Sequence, residues 1–154
     1  MKYRLIFEGL AVGILASLVS VLYRLALDYS EQGLHRIIDA AKQNIWIAFV
    51  WFAALIGMAL IVGLLIKTEP MISGSGIPQV EGEFAGYLDP CWWKVIMAKL
   101  AGGILCIFGG LSLGREGPSI QLGAMAGKGF SRTLRRPLSE EHFLLSCGAS
   151  AGLS

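Results

Sequence analysis

Two short segments of the sequence share one arrangement of glycine and proline. GSGIP at 74–78 and GREGP at 114–118 each place a glycine four residues before a proline, and each leads into a largely apolar stretch. Proline is tolerated in the first turn of a helix because its missing N–H would have no partner there. A helix start leaves unpaired N–H groups and about half a positive charge, which favour a bound anion. The two segments therefore predict two helix N-termini that form an anion-binding site without a lysine.

Three side chains in these segments are of types that would act on an anion. Glu116, at the mouth of the second helix start, would compete with the anion until it is protonated or moves away, so we expect it to be a gate and a proton carrier. Arg115 is expected to face a water-filled vestibule and attract anions, because an arginine at the bilayer centre costs about 2.5–3.5 kcal/mol. Ser75 would either donate its hydroxyl to the anion or cap the helix, and spacing alone does not separate these roles. A solvated loop is the alternative for GREGP, and the matching GSGIP argues against it.

The composition indicates an all-α integral membrane protein. Of 154 residues, 55% are hydrophobic and 16% are charged, and the mean hydropathy is +0.63, a balance that is hard to reconcile with a soluble domain. Residues 45–66 carry no charge, and at about 1.5 Å per residue this stretch is long enough to cross a bilayer. Residues 5–27 and 95–113 are expected to be further spans that each contain charged side chains. The short helices after the glycine–proline segments would be re-entrant, since irregular backbone at membrane depth must line a cavity.

Glycine spacing predicts how these helices pack. Gly123 and Gly127 lie four residues apart, as do Gly148 and Gly152. Small residues at this spacing let membrane helices approach closely. We therefore expect a tightly packed bundle of tilted and broken helices.

The charged residues predict the membrane topology, and the net charge and the cysteines argue against several kinds of partner and site. Lys2 and Arg4 precede the first span, and a second basic group lies at 132–136. The positive-inside rule therefore predicts that both groups lie in the cytoplasm, and four crossings between them would fit. A net charge of +2 is too small to indicate a nucleic-acid partner. Three cysteines without paired spacing indicate neither a disulfide framework nor a metal site. No cofactor is indicated.

With both segments in view, the sequence resembles the CLC family of chloride channels and chloride/proton antiporters. GSGIPQVEG at 74–82 and GREGPSIQLG at 114–123 are similar to the first two anion-binding motifs of that family, in the same order. The resemblance runs from the long first helix to the GASAGLS ending. It implies the first half of an inverted-repeat fold, with residues 1–154 as the N-terminal portion of a transmembrane domain and the later motifs beyond Ser154.

The resemblance also implies roles for single residues. Ser75 is similar to the serine that coordinates the central ion, and Glu116 to the gating glutamate. The backbone amides of Gly76, Ile77 and Gly117 would form the corresponding helix-end region. Gln79 stands where some members of the family carry an acid.

The activity implied is chloride transport, as a chloride/proton antiporter with Glu116 as the proton-linked gate. A passive chloride channel and a fluoride/proton antiporter are the alternatives, and Ser75 favours chloride over fluoride. The resemblance further implies chloride, protons and the lipid bilayer as partners, a homodimer for the full-length protein, and a multi-pass location in a bacterial plasma membrane.

Functions of other classes fit the sequence less well. A membrane-bound enzyme would use Ser75 as nucleophile or Glu116 as acid or base, but no histidine or lysine is placed in sequence as a base for Ser75. A nucleotide-driven pump would need a phosphate-binding loop, and 123–129 has three residues between its glycines where four are required. A purely structural membrane subunit is disfavoured by the charges in GREGP, because intramembrane ionisable groups are functional by default. We therefore expect a transporter and not an enzyme.

Overall fold

The computed structural model describes residues 2–153, apart from the side chains of Lys2 and Gln43. Met1 and Ser154, the ends of the predicted transmembrane portion, lie outside the described residues. The side chain of Lys2, which was expected to mark the cytoplasmic side, is also not described. Within residues 2–153 the chain forms six α-helices: α1 Lys2–Gln43, α2 Ile45–Thr68, α3 Ile77–Phe84, α4 Trp92–Phe108, α5 Glu116–Thr133 and α6 Leu138–Leu153. A single turn of 3₁₀-helix, Pro70–Ile72, lies between α2 and α3.

The first two helices are both apolar enough to cross a membrane. Their mean hydropathy over the best window reaches 2.3 in α1 and 2.7 in α2. The α2 helix follows the predicted uncharged stretch, and Asn44 caps it by accepting from the N–H of Trp46 at 3.1 Å. The α1 helix is much longer than the predicted span at 5–27, because the polar stretch that follows contains no proline and continues the helix to Gln43. At about 1.5 Å per residue, α1 extends well beyond the thickness of a bilayer.

The burial pattern is that of a membrane protein, with large apolar side chains exposed along the outer helices and polar residues buried inside together with apolar ones. No residue of α2 is buried. By contrast, twelve of the 18 residues of α5 are buried, and they include Ser119, Gln121 and Lys128. The polar and glycine-rich α5 is therefore the central helix, and it packs against α1, α3, α4 and α6, whereas α2 packs against α1 and α4 at the outside.

The close packing predicted from glycine spacing is confirmed between α5 and α6. A Cβ placed on Gly123 would overlap the carbonyl oxygen of Gly148, and one on Gly127 would overlap that of Leu144. A Cβ on Gly152 would overlap the carbonyl oxygen of Ser119. Backbone therefore packs against backbone along this pair of helices.

Ion pairs fix the end of α5 at two places. Arg136, just after α5, pairs with Glu8 near the start of α1. This contact places the end of α5 beside the N-terminal part of α1.

A second group of charged side chains lies beside the pair of Arg136 and Glu8, between α3, α5, α6 and the loop 85–91. Lys128, which has no exposed surface, pairs with Glu83 and lies 2.8 Å from Asp89. Arg132 pairs with Asp89 and lies 3.6 Å from Glu141. The carboxylates of Glu83, Asp89 and Glu141 approach within 4.8 Å of one another, and the lysine ammonium contacts two of them.

Candidate anion-binding site

The first of the two motifs forms a tight turn at the start of α3. Gly74 and Gly76 have φ angles of 68° and 93°, a left-handed conformation that glycine adopts without steric cost. Gly76 is the N-cap of α3, and Pro78 occupies the first turn, where its missing N–H costs nothing. The helix start expected after GSGIP is therefore present.

The second motif forms the start of α5. Arg115 is the N-cap, Glu116 is the first helical residue and Pro118 is the third. The expected helix start after GREGP is present, two residues earlier than the proline. Glu116 thus lies in the first turn, where a carboxylate is favoured by the helix dipole.

The structure brings the two helix starts together. A Cβ built on Gly117 would lie 2.7 Å from the carbonyl oxygen of Ser75 and 2.8 Å from its Cβ. Gly117 is buried by this contact, whereas Ser75 and Glu116 remain exposed. Only a residue without a side chain allows the two backbones to approach so closely.

Several backbone N–H groups near this contact have no protein acceptor among the described residues. Within residues 2–153, the N–H groups of Ser75, Gly76, Glu116 and Gly117 have no protein acceptor. Two helix starts add partial positive charge in the same place. The arrangement can bind a small anion through backbone donors, as phosphate is bound at other helix N-termini.

Ser75 both caps α3 and faces outward. Its Oγ accepts from the N–H of Ile77 at 3.4 Å, so the amide of Ile77 is partly engaged. A hydroxyl has one donor in addition to its acceptor pairs. The capping contact therefore leaves the O–H of Ser75 free to donate to an anion, and the two roles weighed for this serine are compatible.

Arg115, which was expected to face a vestibule and attract anions, pairs with two carboxylates. Its guanidinium lies 2.5 Å from Oδ1 of Asp28 and 2.6 Å from Oε2 of Glu31, both on α1. These partners are 87 and 84 residues away in the chain, so spacing alone gave no indication of them. The arginine thus ties the start of α5 to α1, and the two carboxylates outweigh its single positive charge.

Lys99 is absent from the predicted site residues, yet it lies beside them. Its ammonium is buried, with 5% of the residue surface exposed, and it donates to the carbonyl oxygens of Ile72 at 2.8 Å and Gly74 at 2.9 Å. A charge within an otherwise apolar span was the available signal. The sequence pointed to a site without a lysine, and the structure places Lys99 in contact with Gly74 of the first motif.

A cavity of about 460 Å³ joins these features. It is lined by residues of both motifs, Ser75 and Gly117 among them, together with Lys99 of α4 and Tyr23 of α1. The helix starts therefore border a cavity, as irregular backbone inside a membrane protein is expected to do. A membrane protein with broken helices whose N-termini converge on such a cavity belongs to the class of ion-conducting or ion-transporting proteins.

Comparisons with known proteins agree with this class. Residues 57–154 match the family described as voltage gated chloride channel. The chain belongs to that family, and the resemblance drawn from its two motifs is confirmed.

Individual relatives are named as exchangers. The H(+)/Cl(-) exchange transporter ClcA of Vibrio cholerae serotype O1 is 35% identical, over 99% of this chain and 33% of its own length. ClcA of Yersinia pestis is 34% identical, over 93% of this chain and 30% of its own length. The chain therefore spans about a third of the length of these relatives.

A solved structure shares the fold. The X-ray structure of a slow cyanobacterial Cl-/H+ antiporter aligns with a TM-score of 0.86 at 28% identity, covering 97% of this chain and 36% of the antiporter. The predicted all-α fold with tilted and broken helices is thereby confirmed. The named relatives are transporters, which agrees with the expectation that the chain is not part of an enzyme.

Proposed function

We propose that residues 1–154 form the N-terminal portion of a CLC transmembrane domain, and that the full-length protein exchanges chloride for protons. The observation that carries this proposal is the contact of Gly117 with Ser75, which gathers backbone donors without protein acceptors from two helix starts. Chloride is a weak hydrogen-bond acceptor that partial charges can bind and release. The exchangers among the relatives support proton coupling.

In this proposal Ser75, Gly76, Ile77 and Gly117 bind the anion and Glu116 gates it. Glu116 is exposed and has no side-chain partner within residues 2–153. Its carboxylate can therefore occupy the anion position when ionised and leave it when protonated. Arg115 borders the vestibule, with its charge outweighed by the two carboxylates of α1.

The geometry at Ser75 favours transport over an enzyme. Its Oγ accepts a hydrogen bond from the N–H of Ile77, and a donor of this kind cannot take the proton of the serine hydroxyl. A nucleophilic serine needs a base that accepts its proton. We therefore infer that the full-length protein is a transporter and that Ser75 is an ion ligand.

The exposed surface of the helices and the bacterial relatives support a location in a plasma membrane. Large apolar side chains are exposed along α1 and α2, and lipid is the partner that suits such a surface. The named relatives are bacterial, and we propose a bacterial plasma membrane with the N-terminus in the cytoplasm. We also propose that the full-length protein forms a homodimer.

The test is chloride-driven proton movement in liposomes that carry the full-length protein. Wild type should move protons against their gradient, and Glu116→Gln should pass chloride without proton movement. Asp39→Asn, which removes an exposed carboxylate at the far end of α1, serves as the control and should behave like wild type. Chloride flux without proton movement in wild type would identify a channel, and fluoride flux in place of chloride would identify a fluoride exporter. Absence of any anion flux would overturn the proposal.

A further inference from the structure

Arg135, in the turn after α5, has a backbone conformation that glycine normally occupies. Its φ is 52°, and within residues 2–153 it is the one residue other than glycine with a positive φ. Its N–H donates to the carbonyl oxygen of Arg132, and the N–H of Arg136 donates to that of Ser131, both at 3.1 Å. These two hydrogen bonds form the Schellman arrangement that ends many helices, and Arg135 stands at the position where glycine is usual. A side chain there is strained, because its Cβ crowds the following carbonyl group.

Nothing inside the described part of the chain explains this strain. The side chain of Arg135 is exposed, and within residues 2–153 it has no hydrogen bond or ion pair. An arginine that only marked the cytoplasmic side of the chain would serve equally well in a relaxed conformation one position away. Strained residues that persist in a fold are concentrated at functional sites. The guanidinium of Arg135 is therefore expected to bind a group outside the protein.

A second exposed guanidinium lies next to this turn. Arg136 pairs with the buried Glu8 of α1, and Arg4 lies 3.4 Å from the same carboxylate. Glu140 of α6 also faces Arg136, at 3.8 Å. The side chain of Arg4 is 61% exposed, whereas that of Arg136 is 16% exposed. Arg136 therefore neutralises the buried carboxylate, while the charges of Arg4 and Arg135 lie at the surface.

The residues that flank these two arginines in the chain are apolar and exposed. They are Tyr3 and Phe7 on α1, Leu134 at the end of α5, and Leu138 at the start of α6. Exposed apolar side chains around isolated cations fit the boundary of a lipid layer, where acyl chains meet phosphate groups. A free inorganic anion would gain nothing from these apolar neighbours. The combination therefore favours a lipid over a dissolved ion.

We propose that Arg135 and Arg4 bind the phosphate group of an anionic phospholipid in the leaflet around this end of the helices. A guanidinium suits this ligand because its planar fork of N–H groups matches phosphate oxygens. The acyl chains would contact the exposed apolar side chains beside the two arginines. Binding of the phosphate offsets the strain at Arg135 and gives a reason for an arginine where glycine would be relaxed. The site is separate from the anion cavity and does not depend on which ion the protein transports.

Titration of the detergent-solubilised full-length protein with phosphatidylglycerol tests this site. The melting temperature at each lipid concentration is the readout, and phosphatidylcholine is the neutral comparison. A ligand that binds the folded state raises the melting temperature, so wild type should respond to phosphatidylglycerol at lower concentrations than to phosphatidylcholine. Arg135→Gln keeps the strained turn and removes the charge, so the apparent dissociation constant for phosphatidylglycerol should rise about fivefold. Arg4→Gln should weaken binding by a similar factor.

Arg135→Gly separates lipid binding from folding, because it should change the two in opposite directions. Glycine adopts the left-handed conformation without strain, so this variant should melt above wild type when no lipid is added. It lacks the guanidinium, so it should still bind phosphatidylglycerol about fivefold more weakly. A role for Arg135 in the fold alone would not combine a higher melting temperature with a lost response to lipid.

Two controls separate a specific site from general charge. Arg36→Gln removes an exposed arginine from the C-terminal part of α1 and should leave the affinity for phosphatidylglycerol unchanged. Inorganic phosphate supplies the same oxygens without acyl chains, and at the same concentrations it should not stabilise wild type.

Several results would overturn the lipid site. An equal response of wild type to both lipids would show no preference for an anionic headgroup, and no response to either would leave the strained arginine for an acidic protein partner. Stabilisation by inorganic phosphate would show a site for free anions. Unchanged affinity in Arg135→Gln, or an equal loss in Arg36→Gln, would show that Arg135 makes no specific contact with the lipid. A lower melting temperature of Arg135→Gly without lipid would show that the turn is not strained. None of these measurements involves chloride, so the proposed function stands or fails separately.

Discussion

Gly117 of α5 and Ser75 before α3 pack so closely that a methyl group on Gly117 would lie 2.7 Å from the carbonyl oxygen of Ser75. Gly117→Ala should therefore separate the two helix starts. Overpacking of this kind costs about 1–3 kcal/mol, and because the contacting atom is backbone, no side chain can move aside. Chloride affinity of the full-length protein, measured by calorimetry, should fall about tenfold or more.

Gly114 offers the matched control for this change. A Cβ on Gly114 meets nothing within 4 Å, and the residue lies in the same motif. Gly114→Ala should keep the affinity of wild type. Equal affinity in Gly117→Ala would show that the contact with Ser75 does not position the anion site.

The charges around Arg115 predict how chloride approaches the site. Arg115 pairs with both Asp28 and Glu31, so the group sums to one negative charge (+1 − 2 = −1). Arg115→Gln makes the group more negative and should slow chloride uptake, whereas neutralising Asp28 and Glu31 together should speed it, by about tenfold at most. Initial uptake rates into liposomes at low ionic strength measure both effects.

Ionic strength is the check on this electrostatic explanation. Exposed charges are screened over about 10 Å at 0.1 M salt, so both changes should shrink when an impermeant salt is added. A change in rate that does not depend on salt would indicate that Arg115 acts through the position of α5 and not through its charge.

The pair formed by Lys128 and Glu83 should contribute strongly to stability when only one partner is removed. Both side chains are buried. Lys128→Met leaves the charge of Glu83 buried without its partner, which should cost about 3–5 kcal/mol. Adding Glu83→Gln to this variant should recover most of the loss, since neutral groups need no counter-charge. Thermal unfolding of the full-length protein in detergent measures both variants.

An exposed pair on α1 provides the comparison. Lys42 and Asp39 lie 3.0 Å apart at the surface, and such pairs contribute about 0–1 kcal/mol. Lys42→Met should therefore change the melting temperature little. A drop as large as that of Lys128→Met would argue that burial does not explain the effect.

Asp89 should make stability depend on pH in one direction. The hydrogen bond with Lys128, together with Arg132, holds the pKa of Asp89 below its ordinary value of 3.8. A carboxyl with a lowered folded-state pKa stabilises the fold above its unfolded pKa, and this contribution disappears as pH falls through the folded value. The melting temperatures of wild type and Asp89→Asn should therefore differ at neutral pH and converge well below pH 3.8. A difference that is constant with pH would show that the asparagine acts through shape alone.

The helices with the simplest sequence signals were predicted well. The uncharged stretch at 45–66 became α2, Ile45–Thr68, almost residue for residue. The predicted span at 95–113 ends earlier, at Phe108, because Gly110 adopts a positive φ of 86° and turns the chain. Gly110 adopts this conformation without steric cost because it has no Cβ.

The helix starts of the site followed from sequence, but its supporting contacts did not. Glycine and proline fix local backbone geometry, so GSGIP and GREGP indicate helix starts without further information. The partners of Arg115 and the acceptors of Lys99 depend on which helices become neighbours. A backbone carbonyl has no signature in the sequence, so the hydrogen bonds of Lys99 with Ile72 and Gly74 were visible only in the structure. The roles of Glu116, Ser75 and the neighbouring amides stay predictions.

The pair of Glu8 with Arg136 has a consequence for biosynthesis. The two residues are 128 positions apart, so Glu8 enters the membrane with α1 long before the ribosome has made its partner. Arg4, one turn earlier on the same helix, lies 3.4 Å from the same carboxylate and is available from the moment α1 forms. Arg4 can therefore neutralise Glu8 while α1 inserts. Once Arg136 has been made, its pair with Glu8 brings the end of α5 next to the start of α1.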